Sequence, residues 1–116
     1  MDVTIYYNSR CSKCRVVLKY LASNGFNPKI KNYLEDGLKI DELRDLLKML
    51  SFGVREIIRT NEIEYLEQNL KDADDSELLE AVTHNPKLLQ RPIIIIGERA
   101  LIARGSEQEI ADFLKG

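Results

Sequence analysis

Both cysteines of the 116-residue chain fall in one short run, NSRCSKCR, with only Ser12 and Lys13 between Cys11 and Cys14. A cysteine reacts as its thiolate, so the chemistry of such a pair depends on what lowers the proton affinity of one sulfur. Arg10, Lys13 and Arg15 place three cations beside it. A zinc site needs about four ligands, and apart from these thiols the chain offers one distant histidine, His84. No metal is expected. A small secreted scaffold normally carries more cysteines, and a stable structural disulfide is rare in a reducing compartment. Cys-x-x-Cys beside a strand-to-helix turn instead has the pattern of redox-active thiols.

The elements that must carry this pair can be read in order. Val3, Ile5 and the tyrosines of VTIYY form a β-rich, uncharged segment closed by the turn residues Asn8 and Ser9. CRVVLKYLASNG then sets Cys14, Val17, Leu18 and Leu21 at helical spacing and stops at Asn24-Gly25. The cysteines therefore sit where a strand hands over to a helix. KIKNYL reads as a second strand, and IDELRDLLKMLS as a helix with Asp41 and Glu42 at its positive end. GVREIIRTN, IEYLEQNL and DSELLEAVTHNP read as three more short helical segments, the last capped by Asp75 or Ser76 and closed by Pro86. RPIIIIG is a strand covered on both faces, with ALIAR as its hairpin partner across Glu98-Arg99. SEQEIADFLKG ends as a helix capped by Ser106, with Glu109 three residues on.

This order predicts an α/β protein of the thioredoxin/glutaredoxin-like fold, a mixed four-stranded sheet flanked by helices with an all-helical subdomain inserted after the second strand. The chain is expected to be one domain, residues 1–116, with the helical insertion at about 38–86. The net charge of -2, from 17 basic and 19 acidic side chains, gives no broad attraction to nucleic acid or anionic membrane, so any anion site must be local. The first residues lack a signal-peptide pattern and no later segment approaches membrane-spanning length, which points to a cytoplasmic protein.

Within this fold, Cys11 stands ahead of the helix, where free backbone N–H groups and the helix dipole favour a thiolate or a bound anion. It is the nucleophile candidate. Cys14, one turn further in, either resolves a Cys11 adduct as a disulfide or serves as a small buried apolar residue. Arg91 immediately precedes Pro92 and a buried strand, so its charged end must emerge into a cleft. The proline at that place in thioredoxin-like folds is usually cis and lies against the cysteine loop, which would point Arg91 at Cys11. Arg44, Arg55 and Arg99 read as solvated surface, and so, from pattern alone, do Arg59 and Arg104. His84 reads as a helix-end residue. Tyr6, Tyr20, Tyr33 and Phe113 read as core, and the DADD stretch as a solvated loop.

With YYNSRCSKCR, YLED, VREIIRTN, HNPKLLQRPIIII and ARGSEQEI in this order, nearly the whole chain resembles the ArsC-type arsenate reductases, a glutaredoxin-like family. The resemblance implies that Cys11 is the nucleophile and that Arg59, Arg91 and Arg104 bind the oxyanion. Arg15 and Asn8 match the loop around the nucleophile, and Pro92 matches the cis proline. The implied reaction is reduction of arsenate to arsenite through a Cys11 adduct. The implied electron source is glutathione with glutaredoxin, or thioredoxin if a Cys11–Cys14 disulfide forms; no bound cofactor is implied. Three departures stand out: Cys14 replaces a usual Ser or Thr, Tyr7 a frequent His, and Ser9 a frequent Pro. The CxxC pair followed by Arg and the RPIIII run also resemble the Spx-type transcription regulators, whose partner is the RNA polymerase α subunit. Arg59 and Arg104 favour the reductase over that alternative, and a general thiol-disulfide oxidoreductase is the third reading.

Overall fold

The computed structural model describes residues 2–116. Its elements run β1 (Val3–Tyr6), α1 (Ser12–Ser23), β2 (Lys29–Lys31), α2 (Tyr33–Asp36), α3 (Ile40–Leu50), α4 (Ile63–Glu67), α5 (Asp75–His84), β3 (Ile93–Ile96), β4 (Arg99–Ile102) and α6 (Glu107–Lys115). Single 3-10 turns lie at Val54–Ile57, Leu70–Asp72 and Pro86–Leu88. Two compact units can be distinguished: one holds the residues up to Tyr33 together with Arg91–Gly116, the other Leu34–Gln90.

The first unit is built on a four-stranded sheet in the order β2-β1-β3-β4. β1 pairs parallel with β2 through the α1 crossover, while β1–β3 and β3–β4 are antiparallel. This is the mixed sheet of the thioredoxin-like fold. Side chains alternate across a strand, and the registers Val3↔Ile96 and Ile5↔Ile94 put four apolar residues on one face. Val17 and Leu21 of α1 and Ile110 of α6 close over that face. On the other parity, Tyr6 stacks on Tyr33 with ring centroids 6.4 Å apart.

Several local outcomes differ from the sequence expectation. The second strand stops at Lys31, and Tyr33 begins a helical turn instead. The cause is its partner: β1 ends at Tyr6, so after the Tyr7 N–H donates to the Lys31 carbonyl (3.0 Å) there is no further ladder to join. The β3–β4 turn is Gly97-Glu98, with Arg99 already in β4; Gly97 supplies the positive φ of 59° that a two-residue turn needs. Ser106 caps α6 as expected, accepting from the Glu109 N–H at 3.2 Å.

In the second unit α3 buries Leu43 and Leu46, and α5 buries Leu78 and Val82. The cap of α5 is Asp74 rather than the expected Asp75 or Ser76: its Oδ1 accepts from the Glu77 N–H (2.9 Å) while Glu77 Oε1 accepts from the Asp74 N–H (3.1 Å). GVREIIRTN makes only one 3-10 turn before extending, because Ile58 bridges to Leu89 and the Arg59 N–H donates to the Leu88 carbonyl at 2.7 Å. Arg55 is not a free surface charge. Its guanidinium donates to the carbonyls of Leu70 (3.2 Å) and Ala73 (2.6 Å) and so ties down the loop before α5.

Replacing Ile94, fully buried at the centre of the sheet, by Ala is expected to lower unfolding stability by about 2–5 kcal/mol. Ser106→Ala is expected to cost about 1 kcal/mol through the lost cap. Urea denaturation followed by circular dichroism measures both, and equal losses would contradict this division between core and surface.

Candidate active site

The loop between β1 and α1 is braced by its own polar groups. Asn8 Oδ1 accepts from the Arg10 N–H at 2.9 Å, the Asn8 carbonyl accepts from the Cys11 N–H at 3.0 Å, and Arg15 Nη1 donates to the Ser9 carbonyl at 2.7 Å. Asn8 and Arg15 thus shape the loop with the groups that the sequence marked. Ser9, where the loop lacks a proline, is held by Arg15 instead.

Cys11 is the N-cap residue of α1, in extended conformation, and the first turn of that helix contains no acidic side chain. The positive end of the helix dipole is therefore not offset by a carboxylate of α1 and favours an anion at Cys11. No capping hydrogen bond in the strict geometric sense closes on the Cys11 side chain; the Cys14 N–H nevertheless stands close enough to favour the thiolate. Cys11 keeps 7% of its surface exposed and Cys14 none, so a reagent reaches Cys11 first.

The two thiols differ in proton affinity for identifiable reasons. Burial is the largest influence on Cys11 and opposes ionisation, but the Cys14 N–H, the Cys14 thiol and the charge and hydrogen bonding of Arg91 together outweigh it. Its pKa is lowered below that of an ordinary thiol. Burial also dominates at Cys14, where the hydrogen bond to Cys11 and the Cys11 charge add to it. The Asn8 N–H and Arg91 pull the other way without winning, and the Cys14 thiol is pushed up to about 12.

Arg91 is the residue that completes this site. It lies against Cys11, as its place before the strand implied, and its peptide bond to Pro92 is cis. Its Nε and Nη1 are buried and find no hydrogen-bond partner among the described residues. Unpaired buried donors are costly, on the order of 1–3 kcal/mol each, so these two nitrogens stand to gain from an acceptor. Arg104 follows β4, and its Nη1 donates to the Arg91 carbonyl at 2.8 Å. Cys11, Cys14, Asn8, Arg15, Arg91, Pro92 and Arg104 all belong to the first unit. Arg59 belongs to the second unit, where it forms an ion pair with Glu62.

Two side chains take a part in the frame that differs from the sequence reading: Lys13, read there as a cation beside the cysteines, and Arg99, read as surface. Lys13 Nζ donates to the Gly105 carbonyl at 3.2 Å. Arg99, expected to be solvated, stacks 4.7 Å from the Phe113 ring centre and donates to the Phe113 carbonyl at 2.9 Å, fixing β4 to α6. Their signal in sequence is weak, since any Lys or Arg at such places reads as surface. His84 ends α5 with Nδ1 2.8 Å from the Glu80 carbonyl, a local helix-end contact as expected.

A cysteine of lowered pKa at the cap of the first helix of a thioredoxin-like sheet, with an arginine beside it, is the arrangement of a thioredoxin-like thiol protein. A model of the ArsC family matches residues 6–113, and the chain belongs to that family. It is 45% identical to the uncharacterized protein YfgD of Escherichia coli (strain K12), over 92% of this chain and 92% of that protein. It is 37% identical to an arsenate reductase of Haemophilus influenzae, over 92% of this chain and 95% of the relative. It is 35% identical to the global transcriptional regulator Spx of Listeria innocua, over 97% of this chain and 86% of the relative. Among solved structures, the arsenate reductase from Vibrio cholerae has a TM-score of 0.91 at 37% identity, covering 96% of this chain and 97% of that one.

Because the Cys11 pKa is depressed, its thiolate fraction rises and levels off at lower pH than that of a free cysteine. Iodoacetamide near neutral pH is therefore expected to label Cys11 and to leave Cys14 unmodified, with sites assigned by peptide mass mapping. Arg91→Met is expected to move the Cys11 labelling profile to higher pH and to slow labelling near neutrality. Preferential labelling of Cys14 in the native protein would contradict the assignment.

Proposed function

We propose that this protein is an arsenate-reductase-like thiol oxidoreductase in which Cys11 attacks the oxyanion and Arg91 receives it. The observation that carries this reading is the juxtaposition of a thiol with lowered pKa and a guanidinium whose Nε and Nη1 are buried and unpaired. Arsenate near neutral pH is a tetrahedral dianion, matched by the planar, directed donors of arginine better than by the point charge of lysine. Arg104 is proposed to add positive charge to its capture, as the family resemblance implies.

The reaction follows from these groups. The Cys11 thiolate forms a bond to arsenic(V), one arsenate oxygen leaves as water after protonation, and a covalent adduct remains. A second thiol then attacks the Cys11 sulfur. The sulfur–sulfur bond forms, the sulfur–arsenic bond breaks, and its electron pair stays on arsenic, which departs as arsenite. Two thiols have lost two electrons and arsenic has gained them.

Cys14 is suited to be that second thiol in one respect that its resting state conceals. Apart from burial, its proton is retained by the hydrogen bond to Cys11 and by the Cys11 charge. Once Cys11 is tied up in the adduct both influences are removed, while the Asn8 N–H and Arg91 still favour a Cys14 thiolate. Burial, the largest influence, persists, so the adduct eases ionisation of Cys14 without removing the main obstacle to it. Glutathione attacking in its place would give a mixed disulfide for glutaredoxin to reduce, whereas a Cys11–Cys14 disulfide suits thioredoxin.

Arsenite production by the purified protein tests the reading, with glutathione and glutaredoxin in one reaction and thioredoxin with its reductase in another. Cys11→Ser is expected to abolish turnover in both. Cys14→Ser is expected to abolish it with thioredoxin, and turnover that persists there would assign resolution to an external thiol. Absence of turnover by the native protein in both reactions would sink the reductase reading. It would leave the Cys11–Cys14 couple as a redox switch, to be tested for binding to the RNA polymerase α subunit in its two oxidation states.

A further inference from the structure

The segment after β4 is held from two sides by side chains of the cysteine site. On one side Lys13, between the two cysteines on the first turn of α1, donates from Nζ to the Gly105 carbonyl at 3.2 Å. On the other, Arg104 donates from Nη1 to the carbonyl of Arg91 at 2.8 Å. Gly105 follows Arg104 directly. The backbone supports the same junction, because the Ala103 N–H donates to the Pro92 carbonyl at 2.9 Å. The result is a closed circuit: Cys11 to α1, α1 through Lys13 to the loop, the loop through Arg104 to Arg91, and Arg91 back to Cys11.

We propose that Lys13 and Arg104 are positioning residues that together form a clamp, holding the arginine of the β3 entry against the cysteine at the start of α1. Neither tie is needed to close the sheet, since β3 and β4 already pair from Ile93↔Ile102 to Ile96↔Arg99. What the ties add is a fixed distance between two groups carried by different segments of chain. That distance matters because the interaction of opposite charges weakens as they separate and as water enters between them. The clamp deepens the role of Arg91 proposed above, and it rests on that role.

The groups that act on Cys11 are few enough to separate. Cys14 and Arg91 influence its ionisation directly. Arg15 is turned back to the Ser9 carbonyl, and Lys13 is engaged with Gly105. If Lys13 acted on the sulfur by its own charge, its loss would add to the loss of Arg91. If it acts by holding Arg91, the two losses do not add.

The test measures the iodoacetamide reactivity of Cys11 against pH in the full chain, without arsenate, for Lys13→Met, Arg104→Met, Arg91→Met and the pairs Lys13→Met/Arg91→Met and Arg104→Met/Arg91→Met. Lys13→Met and Arg104→Met are each expected to slow labelling near neutral pH by about 3- to 10-fold, the equivalent of roughly half to one pH unit. Each pair is expected to match Arg91→Met alone. Lys13→Arg and Arg104→Lys, which keep a donor, are expected to restore most of the native profile, a rescue that general loss of folding would not show. Profiles of Lys13→Met and Arg104→Met that superimpose on the native one, or shifts in the pairs that add to that of Arg91→Met, would overturn the clamp. Because no arsenate is present, the clamp fails or stands apart from the substrate, which the turnover assay alone decides.

Discussion

The antiparallel pairing of β1 with β3 is the constraint on which the site depends. The register Tyr6↔Ile93 places the end of β1 beside the start of β3, so the loop leading to Cys11 and the segment Arg91-Pro92 emerge at the same edge of the sheet. β4 runs back along β3 with Ile102↔Ile93, which delivers Ala103, Arg104 and Gly105 to that edge as well. Strand pairing alone thus brings three stretches of chain far apart in sequence together, and the Lys13 and Arg104 side chains then tie them. A slip of one residue would exchange the two faces of a strand, burying what now faces outward. The apolar face formed by Val3, Ile5, Ile94 and Ile96 under α1 and α6 prevents it. Packing of the core is therefore what sets the geometry of the chemistry.

On that frame, the two cysteines are differentiated by three residues of sequence and one helical turn. The cap position gives Cys11 the dipole, the Cys14 N–H and a small opening to solvent. The next turn gives Cys14 complete burial and the Cys11 sulfur for a neighbour. Each sulfur is part of the other's environment, so consumption of one changes the other. This is a coupled pair rather than two independent thiols, and Cys11 is the one the surroundings favour for ionisation.

Arginines in this molecule divide by what surrounds the guanidinium. Arg55 and Arg99 spend their donors on carbonyls of neighbouring loops and helices, a structural use. Arg15 spends one on the loop around Cys11, and Arg104 one on Arg91. Arg91 alone among these five combines proximity to a thiolate with two buried, unpaired nitrogens. Charge count would not reveal this, because the net charge of -2 averages over every surface residue.

Much of this was written locally and was legible as such. The strand-to-helix hand-over around Cys11, the buried run of isoleucines, the Ser106 cap and the position of Arg91 before Pro92 all rest on interactions between near neighbours in sequence. The second strand is shorter than the KIKNYL pattern suggests because its length is set by β1. GVREIIRTN carries a helical pattern, and its extension depends on pairing with Leu88 and Leu89, about thirty residues on. Likewise Arg55 and Arg99 looked free because their acceptors lie more than ten residues away. The sequence by itself determined which thiol stands at a helix N-terminus, since a cap is a matter of a few residues and their backbone angles. Only the tertiary structure decided which arginine meets that thiol and what holds it there, because those contacts join segments whose separation in the chain carries no local signal.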